Sequence, residues 1–363
     1  MTRTLIVSIF TGAAAVLVAA TISSVPDAGL TVHEWGTFTS IAGPDGSGAT
    51  WNTLGCKDDL PVFVNNSGSR NTKFALMGNV RMETPVLYLY SARELQASVK
   101  VNFTDGIITE WYPSSARTPS GGLIEWRNIQ VQPGTAPQFP LESLPSRYYA
   151  ARVTDSAPLA VNGQHEKFLF YRGVGSMDVP LNARVASDGR ITVALAVADP
   201  VPVVILFENR GGRIGFRNIG ALEKSVTLDS PPLDQSVRQL TSELENALVE
   251  QGLYPKEAQA MLATWQDSWF EEGSRLIYIV PQQTLARVLP LQVDPPPAET
   301  ARVFVGRIEL ITTATERAVE DAITRGDRTA LAPYARFLAP ILQRIAAADH
   351  SKRGLAANVA ACQ

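Results

Sequence analysis

Polar and apolar residues alternate in short runs along the chain from residue 31 to residue 217. The first run, T-V-H-E-W-G-T-F-T-S-I at Thr31–Ile41, has the pattern of a half-buried strand. Later runs predict further strands at Thr84–Tyr90, Ala97–Phe103, Ile107–Tyr112, Leu123–Val131, Tyr149–Thr154, Lys167–Arg172, Ile191–Val197, Val201–Phe207 and Ile214–Arg217. Short strands at this spacing, with hardly any helical periodicity, are typical of an antiparallel β-sandwich or a barrel-like domain. We assign this domain to residues 30–228.

The apolar period changes to three and four residues after Ser230. This spacing predicts an amphipathic helix that contains Leu240 and Leu244 and ends at Gly252. Proline suits the first turn of a helix, so a second helix is expected to begin at Pro255. Two strands and two closing helices follow at Arg275–Val280, Arg302–Ile311, Thr315–Arg325 and Leu331–Ala348. Residues 232–350 therefore form a smaller mixed α/β domain, followed by a tail at 351–363, and the chain is mainly β with α.

Length and composition agree with two globular domains. The chain has 363 residues, of which 45% are hydrophobic and 18% charged, so it has enough apolar residues to build more than one ordinary core. The formal net charge is −3, and acidic and basic residues are interspersed. Because a nucleic-acid-binding surface normally needs a basic face, the charge pattern argues against nucleic acid as a partner.

The first residues have the pattern of a secretory signal peptide. Arg3 is the only charged residue before an apolar or small run at Leu5–Ala20. Cleavage after Ala20 satisfies the small-residue rule, and a site near Ser24 does so as well, so we assign residues 1–24 to the signal. The run is slightly short for a membrane span, which favours cleavage over anchoring. We expect an exported protein, periplasmic or extracellular, with no membrane span after cleavage.

Two cysteines, Cys56 and Cys362, follow the predicted signal. In an oxidising compartment they favour one disulfide, and the alternative is two free thiols. Neither cysteine has a nearby partner at a spacing typical of metal ligands.

Four stretches of the sequence resemble those of a known group of proteins. They read V-H-E-W-G-T-F-T-S at Val32–Ser40, M-E-T-P-V-L-Y-L-Y at Met82–Tyr90, K-F-L-F-Y-R-G at Lys167–Gly173 and D-S-W-F-E-E-G-S-R at Asp267–Arg275. The chain is similar in these stretches to an uncharacterised family of exported bacterial proteins with an H-E-W-G-T-F-T motif near the mature N-terminus. The resemblance implies export and a common architecture, and it assigns no catalytic residue.

Two of the three histidines are each followed by a glutamate, as His33-Glu34 and His165-Glu166. Neighbouring residues of a strand point to opposite faces, so a site would need side chains that converge from different strands. The functional hypothesis is that His33 and His165 bind a divalent metal, while Glu34, Glu83 and Glu166 act as metal ligands or acid-base groups. The alternative is that the two histidines have no shared function and lie at the surface or at a sheet edge with unrelated partners. The lack of a specific motif favours this structural interpretation.

Aromatic residues offer a second type of candidate site. Exposed rings in the β-rich domain would stack on sugars or peptides, although rings in strands are more often core, and we favour core here. The rings in question are Trp35, Trp51, Trp111, Tyr112, Trp126, Tyr148 and Tyr149. Glu271, Glu272 and Arg275 follow a predicted helix, where such a group is usually an ion-paired structural corner.

Two classes of function stay open. The first, which we favour because no catalytic motif is present, is a non-catalytic binding or structural module of the bacterial envelope, with an envelope polymer or a protein as partner. The alternative is an extracytoplasmic hydrolase with a metal or carboxylate/histidine site on the β-domain. The strings Gly173-Val174-Gly175 and Gly211–Gly215 do not indicate a phosphate site, because neither lies between a strand and a helix.

Overall fold

The computed structural model describes residues 29–53, 60–67, 77–144 and 146–349. The strands are β1 Thr31–Ile41, β2 Trp51–Asn52, β3 Asn65–Asn66, β4 Met77–Gly78, β5 Val80–Tyr90, β6 Leu95–Asn102, β7 Gly106–Tyr112, β8 Leu123–Val131, β9 Leu159–Val161, β10 Gln164–Glu166, β11 Leu169–Gly175, β12 Leu181–Val185, β13 Ile191–Leu195, β14 Val201–Arg210, β15 Arg213–Leu222, β16 Ser225–Leu228, β17 Gly273–Ile279, β18 Leu291–Asp294 and β19 Glu299–Leu310. The α-helices are α1 Val237–Glu250, α2 Pro255–Trp269, α3 Gln282–Val288, α4 Thr313–Arg325, α5 Arg328–Leu331 and α6 Leu338–Ala348, with 3₁₀ helices at Arg147–Arg152 and Ala332–Phe337. The predicted signal peptide and the tail lie outside the described residues.

One nine-stranded sheet organises the fold, in the order β15-β14-β17-β19-β1-β5-β11-β7-β3. Strand β1 is central: it pairs with β5 antiparallel and with β19 parallel over its whole length. All other strand pairs in the described residues are antiparallel. The predicted fold class, mainly β with α, is confirmed.

Two layers cover the two faces of this sheet. On one face, Leu89 and Leu276 share a core with Val99 and Trp126 of the five-stranded sheet β10-β9-β8-β6-β18, and the three-stranded sheet β12-β13-β16 adds to the same core. This is the sandwich-like part of the fold. On the opposite face, helices α1 and α2 pack against the sheet through residues that include Leu244, Met261 and Trp265. We call these the sandwich side and the helix side.

Strands from both predicted domains belong to the same sheet. Strands β17 and β19 come from the C-terminal segment, yet they hydrogen-bond to β14 and β1 of the N-terminal segment. A third apolar cluster joins the C-terminal helices to Ile41 and Trp51. The division at residues 228–232 stays a prediction, and the sheet itself is continuous across it.

Local signals explain the two helices on the helix side. Ser236 and Gln239 form a capping box at the start of α1, and Leu240 and Leu244 are buried at a four-residue spacing, as the sequence predicted. Pro255 is the first residue of α2, which confirms the predicted start. Helix α1 is therefore an amphipathic helix whose apolar stripe faces the sheet.

The predicted strand at Tyr149–Thr154 is wrong. This segment forms the 3₁₀ helix Arg147–Arg152, which Ser146 caps by accepting a hydrogen bond from the backbone N–H of Tyr148. Tyr148 and Ala151 are its buried residues, and their spacing of three matches the turn of a 3₁₀ helix. A run of aromatic and small residues fits a strand equally well, so the sequence alone favoured the wrong element.

Gly36 of the H-E-W-G-T-F-T motif lies where the ring of Phe304 packs against β1. A Cβ at this position would lie 2.6 Å from Cε1 of the fully buried Phe304. We expect Gly36→Ala to lower the free energy of unfolding by about 1–3 kcal/mol, because the ring has to move within a packed core. Urea denaturation measures the change. Gly29→Ala is the control, since its Cβ would meet nothing within 4 Å, and equal losses in the two variants would contradict the packing argument.

Candidate functional site

His33 and Glu34 point to opposite faces of the sheet, as strand alternation predicted. Nδ1 of His33 lies 2.8 Å from a carboxylate oxygen of Glu257, on α2 of the helix side. Glu34 accepts hydrogen bonds from the hydroxyl of Tyr171 at 2.5 Å and from Nε of Arg302 at 2.6 Å. Tyr171 belongs to the core on the sandwich side. The two residues therefore belong to different interactions.

His33 is fully buried in a small polar cluster at the start of α2. The carboxylate of Glu257 also accepts hydrogen bonds from the hydroxyl of Tyr90 at 2.6 Å and from the backbone N–H of Tyr254 at 2.8 Å. The ring of Tyr254 lies 4.3 Å from the ring of His33, centroid to centroid. One carboxylate thus joins β1, β5 and the first turn of α2.

Glu83 is buried near the other end of β5. It accepts a hydrogen bond from the hydroxyl of Thr39 at 3.3 Å and forms ion pairs with Arg81 and Arg336. Arg336 comes from the 3₁₀ helix Ala332–Phe337. This carboxylate therefore connects the sheet to the C-terminal helices.

His165 and Glu166 lie on β10, in the five-stranded sheet. His165 is half-buried and stands opposite Ala160 in the strand register. Glu166 is buried and accepts two short hydrogen bonds from Arg152, at 2.9 Å from Nε and 2.6 Å from Nη2. Burial raises the pKa of the Glu166 carboxyl above its ordinary value, against the opposite effect of Arg152.

Four of the five predicted site residues, His33, Glu34, Glu83 and Glu166, are bonded to different partners. Among residues 29–53, 60–67, 77–144 and 146–349, no group of three or more histidine, cysteine, aspartate or glutamate side chains is arranged to hold a metal ion. The catalytic roles of Glu34, Glu83 and Glu166 and the metal-binding roles of His33 and His165 stay hypotheses. Cys56 and Cys362 lie outside the described residues, and their disulfide stays a prediction.

The predicted structural corner around Arg275 is confirmed as an ion-pair network. Arg275 and Arg307 are fully buried, and both donate to the carboxylate of Glu309 at 3.1 Å. Arg307 also donates to the carboxylate of Glu271 at 2.5 Å and to the backbone oxygen of Ser268 at 2.7 Å. Arg275 satisfies its remaining donors on backbone oxygens at the end of α2. The network fixes this end of α2 to β17 and β19.

A cleft on the helix side is lined mainly by rings and aliphatic side chains. A water-sized sphere can occupy about 30 Å³ of it, and the unfilled space is about 380 Å³ when the open mouth is counted. We call it the aromatic cleft, and it is lined by Leu60, Pro61, Phe63, Val64, Thr84, Val86, Tyr112, Tyr148, Tyr149, Ala151, Arg152, Glu166, Phe168 and Phe170. Glu166 is the one predicted catalytic residue among them. Ligand sites are typically concave and largely apolar with a few fixed polar groups, and this cleft has that composition.

Neighbouring contacts hold the walls of the aromatic cleft in place. The ring of Phe63 packs edge-on against Tyr112, with centroids 4.9 Å apart. The guanidinium of Arg152 lies 4.5 Å from the ring centroid of Tyr149 while it pairs with Glu166. The hydroxyl of Tyr148 accepts a hydrogen bond from Arg172 at 2.7 Å. These contacts order the walls, but the space between them is smaller than the cavity of about 150 Å³ that holds a benzene, so the cleft has to widen to admit a ring.

Thr84 gives the aromatic cleft an unusual polar position. Its φ of +48° is in the left-handed region, which costs a β-branched residue about 1–3 kcal/mol. Its side chain is buried, and its hydroxyl oxygen has no hydrogen-bond partner within the described part of the chain. No sequence pattern predicted this conformation, since a residue before proline, here Pro85, normally adopts an extended one. The oxygen is buried as well as unpaired, so it is not exposed to the cleft, and the strained backbone at Thr84 is the unusual feature of this wall.

Fold and cleft together define a mainly β protein, built on one mixed nine-stranded sheet, with an aromatic-lined cleft on the helix side of that sheet. None of the helices in the described ranges is long and apolar enough to cross a membrane.

Comparison with known proteins finds distant structural similarity only. No protein-family model and no curated protein matches the chain. Among solved structures, the yeast delta-COP-I mu-homology domain complexed with a Dsl1 WxWxV peptide is similar with a TM-score of 0.34 and 9% identity, over 77% of this chain and 96% of that one. The same yeast domain alone gives 0.33 and 10% over the same shares, and the Danio rerio Fcho1 mu-homology domain with a bound Eps15 peptide gives 0.31 and 9%, over 78% and 96%. Similarity of this size carries no argument about function, and the proposals below rest on the residues of this chain.

Proposed function

We propose that this is an exported envelope protein, periplasmic or extracellular, that acts as a binding module, and that the aromatic cleft receives an aromatic side chain of a protein partner. The apolar run at Leu5–Ala20 supports export. The ring-lined cleft is the single observation that carries the binding function.

The walls of the aromatic cleft suit a ring better than an aliphatic chain. Six of its lining residues are aromatic, and rings pack against one another edge-on or offset with an energy beyond that of simple burial. An aromatic anchor in a well-packed pocket is also the commonest source of affinity at protein interfaces.

The state of Glu166 supports binding rather than hydrolysis. Its oxygens already accept hydrogen bonds from Arg152 and from the backbone N–H of Lys167 at 2.8 Å. A general acid or base has to reach the reacting group of the substrate, and these donors occupy the carboxylate. In this account Glu166 and Arg152 form a fixed polar wall of the cleft.

Titration with N-acetyl-L-phenylalaninamide, followed by protein NMR, tests the proposal. At about −0.3 kcal/mol per non-hydrogen atom, a ligand of this size binds with a Kd on the order of 1 mM. Phe63→Ala is expected to weaken binding about fivefold or more, because it removes one wall of the cleft. N-acetyl-L-alaninamide is the ligand control and should not bind measurably.

Val62→Ala is the matched variant, since Val62 precedes Phe63, is 91% exposed and does not line the cleft. It should leave the affinity unchanged. Equal affinity for the phenylalanine and alanine probes, or equal losses in the two variants, would contradict the proposal.

A further inference from the structure

A second cleft, with polar walls, lies beside the start of β1. A water-sized sphere can occupy about 450 Å³ of it, and the unfilled space is about 840 Å³ when the open mouth is counted. We call it the polar cleft, and its polar side chains are Thr31, Tyr90, Ser91, Thr135, Thr154, Asp155, Ser156 and Lys167. Glu166 lines the aromatic cleft and its neighbour Lys167 lines this one, so the two clefts lie on either side of one segment. Six hydroxyl groups, one ammonium group and one carboxylate, that of Asp155, therefore line the polar cleft.

The ammonium group of Lys167 is held in place without a carboxylate partner. It donates hydrogen bonds to the backbone oxygens of Ser156 at 2.6 Å and Thr154 at 3.2 Å. The nearby carboxylate of Asp155 pairs instead with Lys256 at 2.6 Å. An ammonium has three N–H donors, and the third has no hydrogen-bond acceptor within the described ranges.

This half-buried positive charge suits an anionic ligand. Burial lowers the pKa of Lys167, which reflects the cost of keeping a charge away from water. A bound carboxylate would offset that cost by a charge-assisted hydrogen bond to the third N–H. Two backbone oxygens already orient the ammonium, so little side-chain entropy remains to be lost on binding.

The hydroxyl groups beside Lys167 suit a ligand that carries hydroxyl groups of its own. The hydroxyl oxygens of Thr154 and Ser156 lie 3.0 Å apart, and that of Ser156 donates to the backbone oxygen of Lys167 at 3.2 Å. Both residues are buried, so their positions are fixed. We propose that the polar cleft binds a sugar acid, with the carboxylate of the ligand on the ammonium of Lys167 and its hydroxyl groups among Thr154, Ser156 and their neighbours. This is a second site, separate from the aromatic cleft.

Calorimetric titration of the full chain with three monosaccharide probes tests the site. D-glucuronate is expected to bind at least about tenfold more tightly than its methyl ester or D-glucose, since only the acid carries the charge. Lys167→Met should remove this preference. Lys224→Met makes the same change in net charge at an exposed residue and should keep it.

Tetragalacturonate distinguishes a free sugar acid from an acidic polysaccharide as the source of the ligand. If tetragalacturonate binds more tightly than the monomeric sugar acid, the natural ligand is a polymer. If the two bind equally, the ligand is the free acid. Both results support the site. Equal binding of glucuronate and its methyl ester to the wild-type protein would overturn it, as would a preference for the acid that survives Lys167→Met. If Lys167→Met does not fold, the comparison of acid and ester on the wild-type protein decides alone.

Discussion

Replacing Arg307 with methionine is expected to lower the free energy of unfolding by about 3–5 kcal/mol, because the buried Glu309 keeps only Arg275 and Glu271 loses its cationic partner. Arg307 is fully buried and pairs with both Glu309 and Glu271. Removing one member of a buried ion pair costs much more than removing an exposed one, since the remaining charge cannot return to water. Urea unfolding followed by circular dichroism measures the loss.

Arg317→Met is the matched control for Arg307→Met. Arg317 lies on α4 and is exposed, so its loss should change the stability by no more than about 0.5 kcal/mol. If both variants unfold at the same urea concentration, the network around Arg307 does not stabilise the fold as described.

Replacing Glu257 with alanine is expected to lower the free energy of unfolding by about 3–5 kcal/mol. Its carboxylate serves three donors, Nδ1 of His33, the hydroxyl of Tyr90 and the backbone N–H of Tyr254. Each buried donor left without a partner costs about 1–3 kcal/mol. Thermal unfolding of the variant beside the wild-type protein measures the effect.

Two further variants separate the hydrogen bonds of Glu257 from general effects of the substitution. Glu250→Ala removes an exposed glutamate at the end of α1 and should change the stability by no more than about 0.5 kcal/mol. Glu257→Gln keeps one acceptor oxygen, so it should lower the stability less than Glu257→Ala does. Equal unfolding temperatures for Glu257→Ala and Glu250→Ala would contradict the bonding scheme.

The sequence predicted best those elements that local signals determine. The capping box at Ser236, the leucines of α1 and Pro255 at the start of α2 all lie within a few residues of the element they specify. Strand alternation likewise predicted that His33 and Glu34 face opposite sides, because that rule depends only on neighbouring residues.

Sequence patterns could not predict contacts between side chains that are far apart in the chain. His33 meets Glu257 across 224 positions, and Glu34 meets Arg302 across 268. No local pattern specifies such a pair, and the parallel pairing of β1 with β19 is non-local in the same way. The interpretation of His33 as a surface or edge residue was wrong, since it is fully buried on the central strand β1. Local pattern also could not show which of the candidate residues lie together.

The aromatic cleft is a second feature that the sequence could not predict. We expected Tyr112 and Tyr148 to be core residues, and both are buried, but they also form the wall of an open cleft. Phe63 and Phe168, which complete that wall, come from segments about 100 residues apart. The sequence predicts which aromatic residues are buried in the core. The path of the backbone determines whether a cleft remains between their rings.

The most direct test of the central claim is to locate the ring of N-acetyl-L-phenylalaninamide on the protein by intermolecular nuclear Overhauser effects to assigned valine methyl groups. Val86 and Val64 line the aromatic cleft, while Val62 lies on the same segment as Val64 and is exposed. We predict effects from the ring protons to the methyl groups of Val86 and Val64 and none to those of Val62. Effects to valines elsewhere, with none to Val86 and Val64, would contradict it.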